Sequence, residues 1–170
     1  MGDERRAEAS RAIGAHLAHV LPEAGVVSAF WPLPGEVDLR PLLRRLASRG
    51  VTVALPVTAS APGEAPRLVH RAMEGELVRG RFGVMEPPAG APAVDPREVS
   101  VAVVPGLAAS REGIRLGYGG GFYDAFLAST PALRVGVVFR ACVVDALPAE
   151  PHDARLSVLV TESGRIRVAR

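Results

Sequence analysis

The stretch Val99–Pro105, "VSVAVVP", constrains the fold most strongly. It lacks polar–apolar alternation, so an extended segment here needs cover on both faces. "LRVGVVF" at 133–139 has the same character. Ahead of them, helical and strand patterns alternate. Glu4–Val20 places Ala9, Ile13, Leu17 and Val20 at helical spacing, and Pro22 closes it. "GVVSAFWP" reads as a short strand ending at Pro32. In "EVDLRPLLRRLASRG", Asp38 is read as the N-cap, Leu42, Leu43 and Leu46 as the apolar face, and Gly50 as the C-cap. "VTVALPV" is the next strand. An αβαβ opening predicts an α/β fold: a three-layer α/β/α single domain over 1–170 with a mostly parallel central sheet.

Further on, "TASAPGEAP" (58–66) reads as a loop and "RLVHRAM" as a strand. The proline-rich Pro87–Pro96 reads as an ordered surface loop, and a helix is expected over Phe122–Ser129. "RLSVLVTESGRIRVAR" reads as a terminal strand pair turning at Ser163–Gly164.

Between the central strand and that helix lies "GIRLGYGGGFYDAFL". Five of its first nine residues are glycine: Gly113, Gly117, Gly119, Gly120 and Gly121. A strand, a glycine run and a helix in this order let backbone N–H groups converge on an anion. Arg115 adds fixed positive charge suited to phosphate oxygens. Asp124, at the helix start, can hold Mg²⁺ directly or through water. The run is neither a Walker sequence nor a Rossmann fingerprint, because the Gly-Lys-Ser/Thr ending and the early position are both missing. A glycine-rich turn with no ligand is the plain alternative.

Composition narrows the class. With 48% hydrophobic and 22% charged residues, 170 residues can build a core without a staple. The single cysteine, Cys142, has no partner for an internal bridge, which fits a cytoplasmic protein. Met1–Ala9 has no signal-peptide character, and no apolar stretch is long enough for a membrane span. A net charge of +2 is too weak and dispersed for nucleic acid. The chain has no lysine, so all 20 of its Lys+Arg residues are arginine, and any phosphate-binding cation must be a guanidinium.

"VVPGLAASREGIRLGYGGGFYDAFL" closely resembles the signature of the 5-formyltetrahydrofolate cyclo-ligase (methenyltetrahydrofolate synthetase) family, VPGLAFDxxGxRLGYGGGYYDxxL. "AFWPLPGEVDLRPLL", "LVRGRFGVMEP" and "ALPAEPHDARLSVLVTESG" resemble three more family segments, in the family's order, across Phe30 to Gly164. The resemblance implies an enzyme that closes 5-formyltetrahydrofolate to 5,10-methenyltetrahydrofolate, consuming ATP with Mg²⁺. The formyl oxygen attacks the γ-phosphate, N10 attacks the activated carbon, and phosphate leaves. Such chemistry needs charge neutralisation and alignment more than a side-chain nucleophile.

Carried over by position, Arg115, Leu116, Gly117, Tyr118, Gly119, Gly120, Gly121, Phe122 and Tyr123 wrap the nucleotide phosphates. Tyr123 and Arg115 act at the reacting groups. Asp124 and Asp153 lie near Mg²⁺. Glu36, Phe30, Trp31, Tyr118 and Phe122 form the reduced-folate site. Relatives begin with a further lysine-bearing helix, for which Arg5 and Arg6 are the stand-ins here. The usual Phe-Asp after "PGLA" is Ala109-Ser110. These departures keep a second reading open, a folate- or nucleotide-binding relative with weakened turnover. A third is another phosphate-handling enzyme on the same scaffold. The expected partners are small molecules alone, on a monomer or weak dimer.

Overall fold

The computed structural model describes residues 2–60, 63–65 and 67–168. Helix α1 (Asp3–Ala18) leads into β1 (Val26–Ser28), α2 (Arg40–Ser48) and β2 (Thr52–Thr58). Then come β3 (Leu68–Ala72), the pair β4 (Val78–Arg79) and β5 (Met85–Glu86), and β6 (Ala93–Val94). Strand β7 (Val99–Pro105) is followed by β8 (Ala108–Ser110), β9 (Arg115–Leu116) and α3 (Phe122–Ala128). The chain ends with β10 (Leu133–Val137), β11 (Val143–Val144), β12 (Val158–Thr161) and β13 (Gly164–Arg167).

Eight strands form the main sheet in the order β13-β12-β10-β7-β1-β2-β3-β6. The five from β12 to β2 pair in parallel, while β13, β3 and β6 add antiparallel edges. The apolar run expected at the centre is there: β7 pairs with β1 on one side and β10 on the other.

Successive side chains of a strand point to opposite faces, and here the two faces build two cores. Val101, Val103, Val135, Val137 and Val160 pack with Ile13 and Leu17 of α1 and Leu42, Leu43 and Leu46 of α2. Ala102, Val104 and Leu159 pack on the other side with Phe126 and Leu127 of α3. The result is the expected α/β architecture with helices on both faces of a mostly parallel sheet.

Four local readings change. Leu39, not Asp38, is the N-cap of α2 and makes no side-chain cap. The Asp38 carboxylate instead reaches the Arg40 N–H at 3.1 Å and its guanidinium at 2.6 Å. The Pro87–Pro96 loop contains β6, which pairs with β3 at His70 and Arg71. The segment between β7 and the glycine run is not all loop: it holds β8, which pairs as a small hairpin with β9 inside the run itself. Arg49 is the C-cap of α2, and Gly50, read as the cap, is the residue after it, with φ +86° as a left-handed terminator. Of the loop expected over 58–66, residues 61, 62 and 66 lie outside the described residues, as do Met1 and 169–170.

Candidate active site

The parallel strands run in the order β2-β1-β7-β10-β12. The connection after β1 crosses one face through α2, and that after β7 crosses the other through α3. At such a divergence a crevice opens beyond the strand carboxyl ends, where open parallel sheets bind ligands. A cavity of about 270 Å³ lies there. It is lined by Phe30 and Glu36 after β1, Gly106 after β7, Phe139 after β10, and Tyr118 of the glycine run.

Glu36 is held at both oxygens. Oε2 accepts the Leu33 N–H at 2.8 Å, and Oε1 accepts the Tyr118 hydroxyl at 3.1 Å across 82 residues of sequence. Burial raises its pKa, and the two hydrogen bonds act against that rise. Burial and the neighbouring Glu36 also push the Tyr118 phenol up. Phe30 is buried. Trp31 is not among the lining residues; it packs on the core with the Arg44 guanidinium 5.7 Å from its ring centre. Cys142 also lines the cavity.

A second cluster lies beside the first. Arg115 Nη2 sits 3.2 Å from both oxygens of Asp124, with the Arg115 side chain 7% exposed. Asp124 Oδ1 also accepts the Ala154 N–H at 3.3 Å. The guanidinium lies 5.6 Å from the Tyr123 ring centre, and its Nε is buried with no partner. A Cβ at Gly117 would stand 2.5 Å from Arg115 Nη1, so the glycine makes room for the guanidinium. Tyr123 joins the clusters: burial raises its pKa most, then the Glu36 charge, while Arg115 acts in the opposite direction.

The rest of the glycine run faces outward. Gly119, Gly120, Gly121, Leu116 and Tyr118 are exposed. Gly119 (φ +82°) and Gly121 (φ +65°) are left-handed. Phe122 meets Phe82 edge-on, with ring centres 6.1 Å apart. Phe82 is 65% exposed and the one non-glycine residue with positive φ among those described, at +62°. The "RFG" motif marked this segment in the sequence, but only the backbone shows that an aromatic is held in a costly conformation near the loop.

Other expected residues stand apart. The Asp153 carboxylate accepts the Glu150 N–H at 2.8 Å and touches Asp124 only through the next residue's backbone. Arg6 pairs with Asp3, and Arg5 is exposed. Both lie on α1, whose Ser10 hydroxyl accepts the Asp38 N–H at 3.0 Å, so this half of the helix borders the Glu36 loop. Ser110, standing where relatives have aspartate, is fully buried. It closes the β8–β9 turn through bonds with Ile114.

No three His, Cys, Asp or Glu side chains cluster as a metal site among the described residues. Mg²⁺ at a nucleotide needs only one or two carboxylates plus phosphate oxygens and water, so Asp124 fits that role once its hold on Arg115 loosens. The orphaned Arg115 Nε and the exposed left-handed glycines fit a phosphate group. No helix among the described residues is long and apolar enough to cross a membrane.

A doubly wound sheet with a carboxylate-bearing crevice at its switch point and an exposed glycine loop beside it defines an α/β enzyme acting on a small molecule. The chain belongs to the 5-formyltetrahydrofolate cyclo-ligase family, whose model matches residues 1–162. It is 37% identical over 140 residues to the 5-formyltetrahydrofolate cyclo-ligase of Mycolicibacterium smegmatis, covering 79% of this chain and 72% of that protein. It is 33% identical over 144 residues to the Escherichia coli K12 protein of the same name, covering 82% and 79%. The solved structure of Aquifex aeolicus 5,10-methenyltetrahydrofolate synthetase superposes with a TM-score of 0.82 at 32% identity, covering 100% of this chain and 86% of that one.

Proposed function

We propose that this enzyme closes 5-formyltetrahydrofolate to 5,10-methenyltetrahydrofolate with consumption of ATP and Mg²⁺. The observation that carries the reading is the Glu36–Tyr118 hydrogen bond, which ties the switch-point cavity to the glycine run. A reaction that couples a folate to a triphosphate needs two such sites in contact. ATP would supply the phosphoryl group that turns the formyl oxygen into a leaving group, with Mg²⁺ neutralising its charge.

The chain's own residues do the rest. Glu36, with its raised pKa, recognises N–H groups of the folate from a partly desolvated position. Phe30 and Phe139 wall the cavity. The outward N–H groups of Gly119–Gly121 receive phosphate oxygens. Arg115 holds Asp124 and Tyr123 at the boundary between the two ligands, and Asp124 is the residue suited to Mg²⁺. Arg5 and Arg6 border the same edge of the sheet and supply the charge that a lysine would carry.

The test is spectrophotometric: formation of the methenyl chromophore from 5-formyltetrahydrofolate with and without ATP and Mg²⁺. Product that depends on both supports the reading. No product above blank from folded, folate-binding protein ends it.

A further inference from the structure

A larger cavity, about 960 Å³, lies away from the folate crevice. His19 and Val20, just beyond α1, border it. So do Leu133 and Val158, at the amino ends of β10 and β12. Arg155, Arg165 and Arg167 complete the part that matters: three arginines and a histidine are among its lining residues, and no Asp or Glu is. The chain as a whole nearly balances, with 20 Lys+Arg against 18 Asp+Glu. Among the described residues none of the three arginines is in an ion pair.

An edge strand carries charge to discourage pairing with another chain, and β13 is an edge strand. That accounts for Arg165 and Arg167 alone. It does not account for Arg155, which precedes β12, or for a lining without a carboxylate. The negative end of α1 works against an anion here, but its half-charge is outnumbered by three whole ones. Gathered positive charges around a concavity focus the field and raise the local concentration of anions. Guanidinium forks suit phosphate and carboxylate oxygens alike.

We propose that this cavity is a second binding site that takes a small polyanion bearing three or more phosphate or carboxylate charges. Its occupancy reaches the catalytic loops through one short segment. Arg155 lies between Ala154, whose N–H donates to Asp124, and Leu156, whose N–H donates to the Gly113 carbonyl at 2.9 Å. An anion seated on Arg155 stiffens the segment that braces both Asp124 and the start of the glycine run.

The test is calorimetric titration of the full chain with inorganic tripolyphosphate, and separately with citrate, in wild type and in R155S/R165S/R167S. Wild type is expected to bind one equivalent more than the variant. That equivalent weakens about tenfold or more between low and physiological salt, as exposed charges are screened. R155K/R165K/R167K keeps the charge and is expected to retain it. Binding of tripolyphosphate alone or of citrate alone assigns the site to phosphate or carboxylate. Equal stoichiometry in wild type and serine variant overturns the proposal, as does binding of neither anion beyond that variant's level. The proposal does not rest on ATP binding at the glycine run, because the readout is the difference between two proteins sharing that run. Should the triple variant unfold, R155S and R165S singly are each expected to weaken the equivalent about threefold or more; unchanged affinity in both overturns it.

Discussion

Arg115 and Asp124 hold each other across the base of the glycine run, Nη2 at 3.2 Å from each carboxylate oxygen. The pair is where two expectations from sequence meet. A cation expected to face phosphate and a carboxylate expected to face magnesium face one another, and the Ala154 N–H brings a third segment of chain to the junction. The pair is therefore a structural tie between β9 and α3.

Breaking the pair from one side is expected to destabilise the fold as well as stop turnover. Asp124→Asn leaves a nearly buried guanidinium without its counter-charge, at a cost of about 3 kcal/mol. Arg115→Met leaves the more exposed Asp124 able to reach water and costs less. The double variant is expected to be less destabilised than the sum of the singles, giving a coupling of about 1–3 kcal/mol in a denaturation cycle. Additive effects would mean that the two residues act apart.

Glu36 presents the reverse balance. Its folded pKa is raised by burial, so its protonated form is the one the fold prefers. Its contribution to stability is fully present below the unfolded pKa near 4.5 and is lost as pH rises through the higher folded value. Glu36→Gln removes the charge, keeps one carbonyl oxygen to accept the Leu33 N–H, and turns its amide N–H toward the Tyr118 hydroxyl oxygen. It is expected to melt no lower than wild type at pH 7 and higher relative to it than at pH 4, while binding 5-formyltetrahydrofolate about tenfold or more weakly. Unchanged folate affinity would remove Glu36 from the substrate site. Melting below wild type at pH 7 would contradict the burial argument.

His70 sets an acid limit. It is 2% exposed on β3, stacked 4.0 Å from the Phe126 ring centre, with neither ring nitrogen hydrogen-bonded. Desolvation lowers its pKa from 6.5 to about 4. A depressed base stays neutral in the fold while the unfolded chain takes up a proton. The stability this contributes is whole above pH 6.5 and is lost as pH falls through about 4. That span corresponds to about 3 kcal/mol. His70→Phe is expected to flatten the stability profile over this window, by denaturant titration at several pH values. A variant that parallels wild type from pH 6.5 down to 4 would show that other groups carry the acid sensitivity.

The parts of the fold that repeat were legible from sequence. Unbroken apolar runs gave the inner strands, and Leu42, Leu43 and Leu46 gave the buried face of α2, because burial of a whole face needs a regular spacing. What escaped depends on single contacts. Asp38 lost its capping role because Arg40 beside it offers its carboxylate a guanidinium. The β8–β9 hairpin has strands of three and two residues, too short for any period to register. In the site, Glu36, Tyr118 and Phe30 were each found by motif, yet their meeting across 82 residues is a consequence of sheet order. Trp31 and Phe30 are neighbours just past β1 and touch the same core, yet only Phe30 lines the cavity. Phe82 was missed as a site residue because nothing in its neighbours forces a positive φ on an aromatic.

The glycine run itself divides into two parts by what a methyl group would meet. At Gly113, φ is +83° and a Cβ would lie 2.7 Å from the Leu156 carbonyl oxygen, which belongs to the backbone and already accepts no freedom to retreat because Leu156 N–H is bonded to Gly113. At Gly119, φ is +82° but a Cβ would meet nothing within 4 Å. Gly113→Ala therefore adds a backbone clash to left-handed strain and is expected to cost about 2–4 kcal/mol. Gly119→Ala bears the strain alone, about 1 kcal/mol. If the outer glycines serve a triphosphate, Gly119→Ala lowers ATP affinity by more than its small loss of stability, and Gly113→Ala does the opposite. Thermal melts beside ATP titrations of the two variants decide it. Equal stability losses would remove the division. An unchanged ATP affinity in Gly119→Ala would mean that the phosphates lie elsewhere.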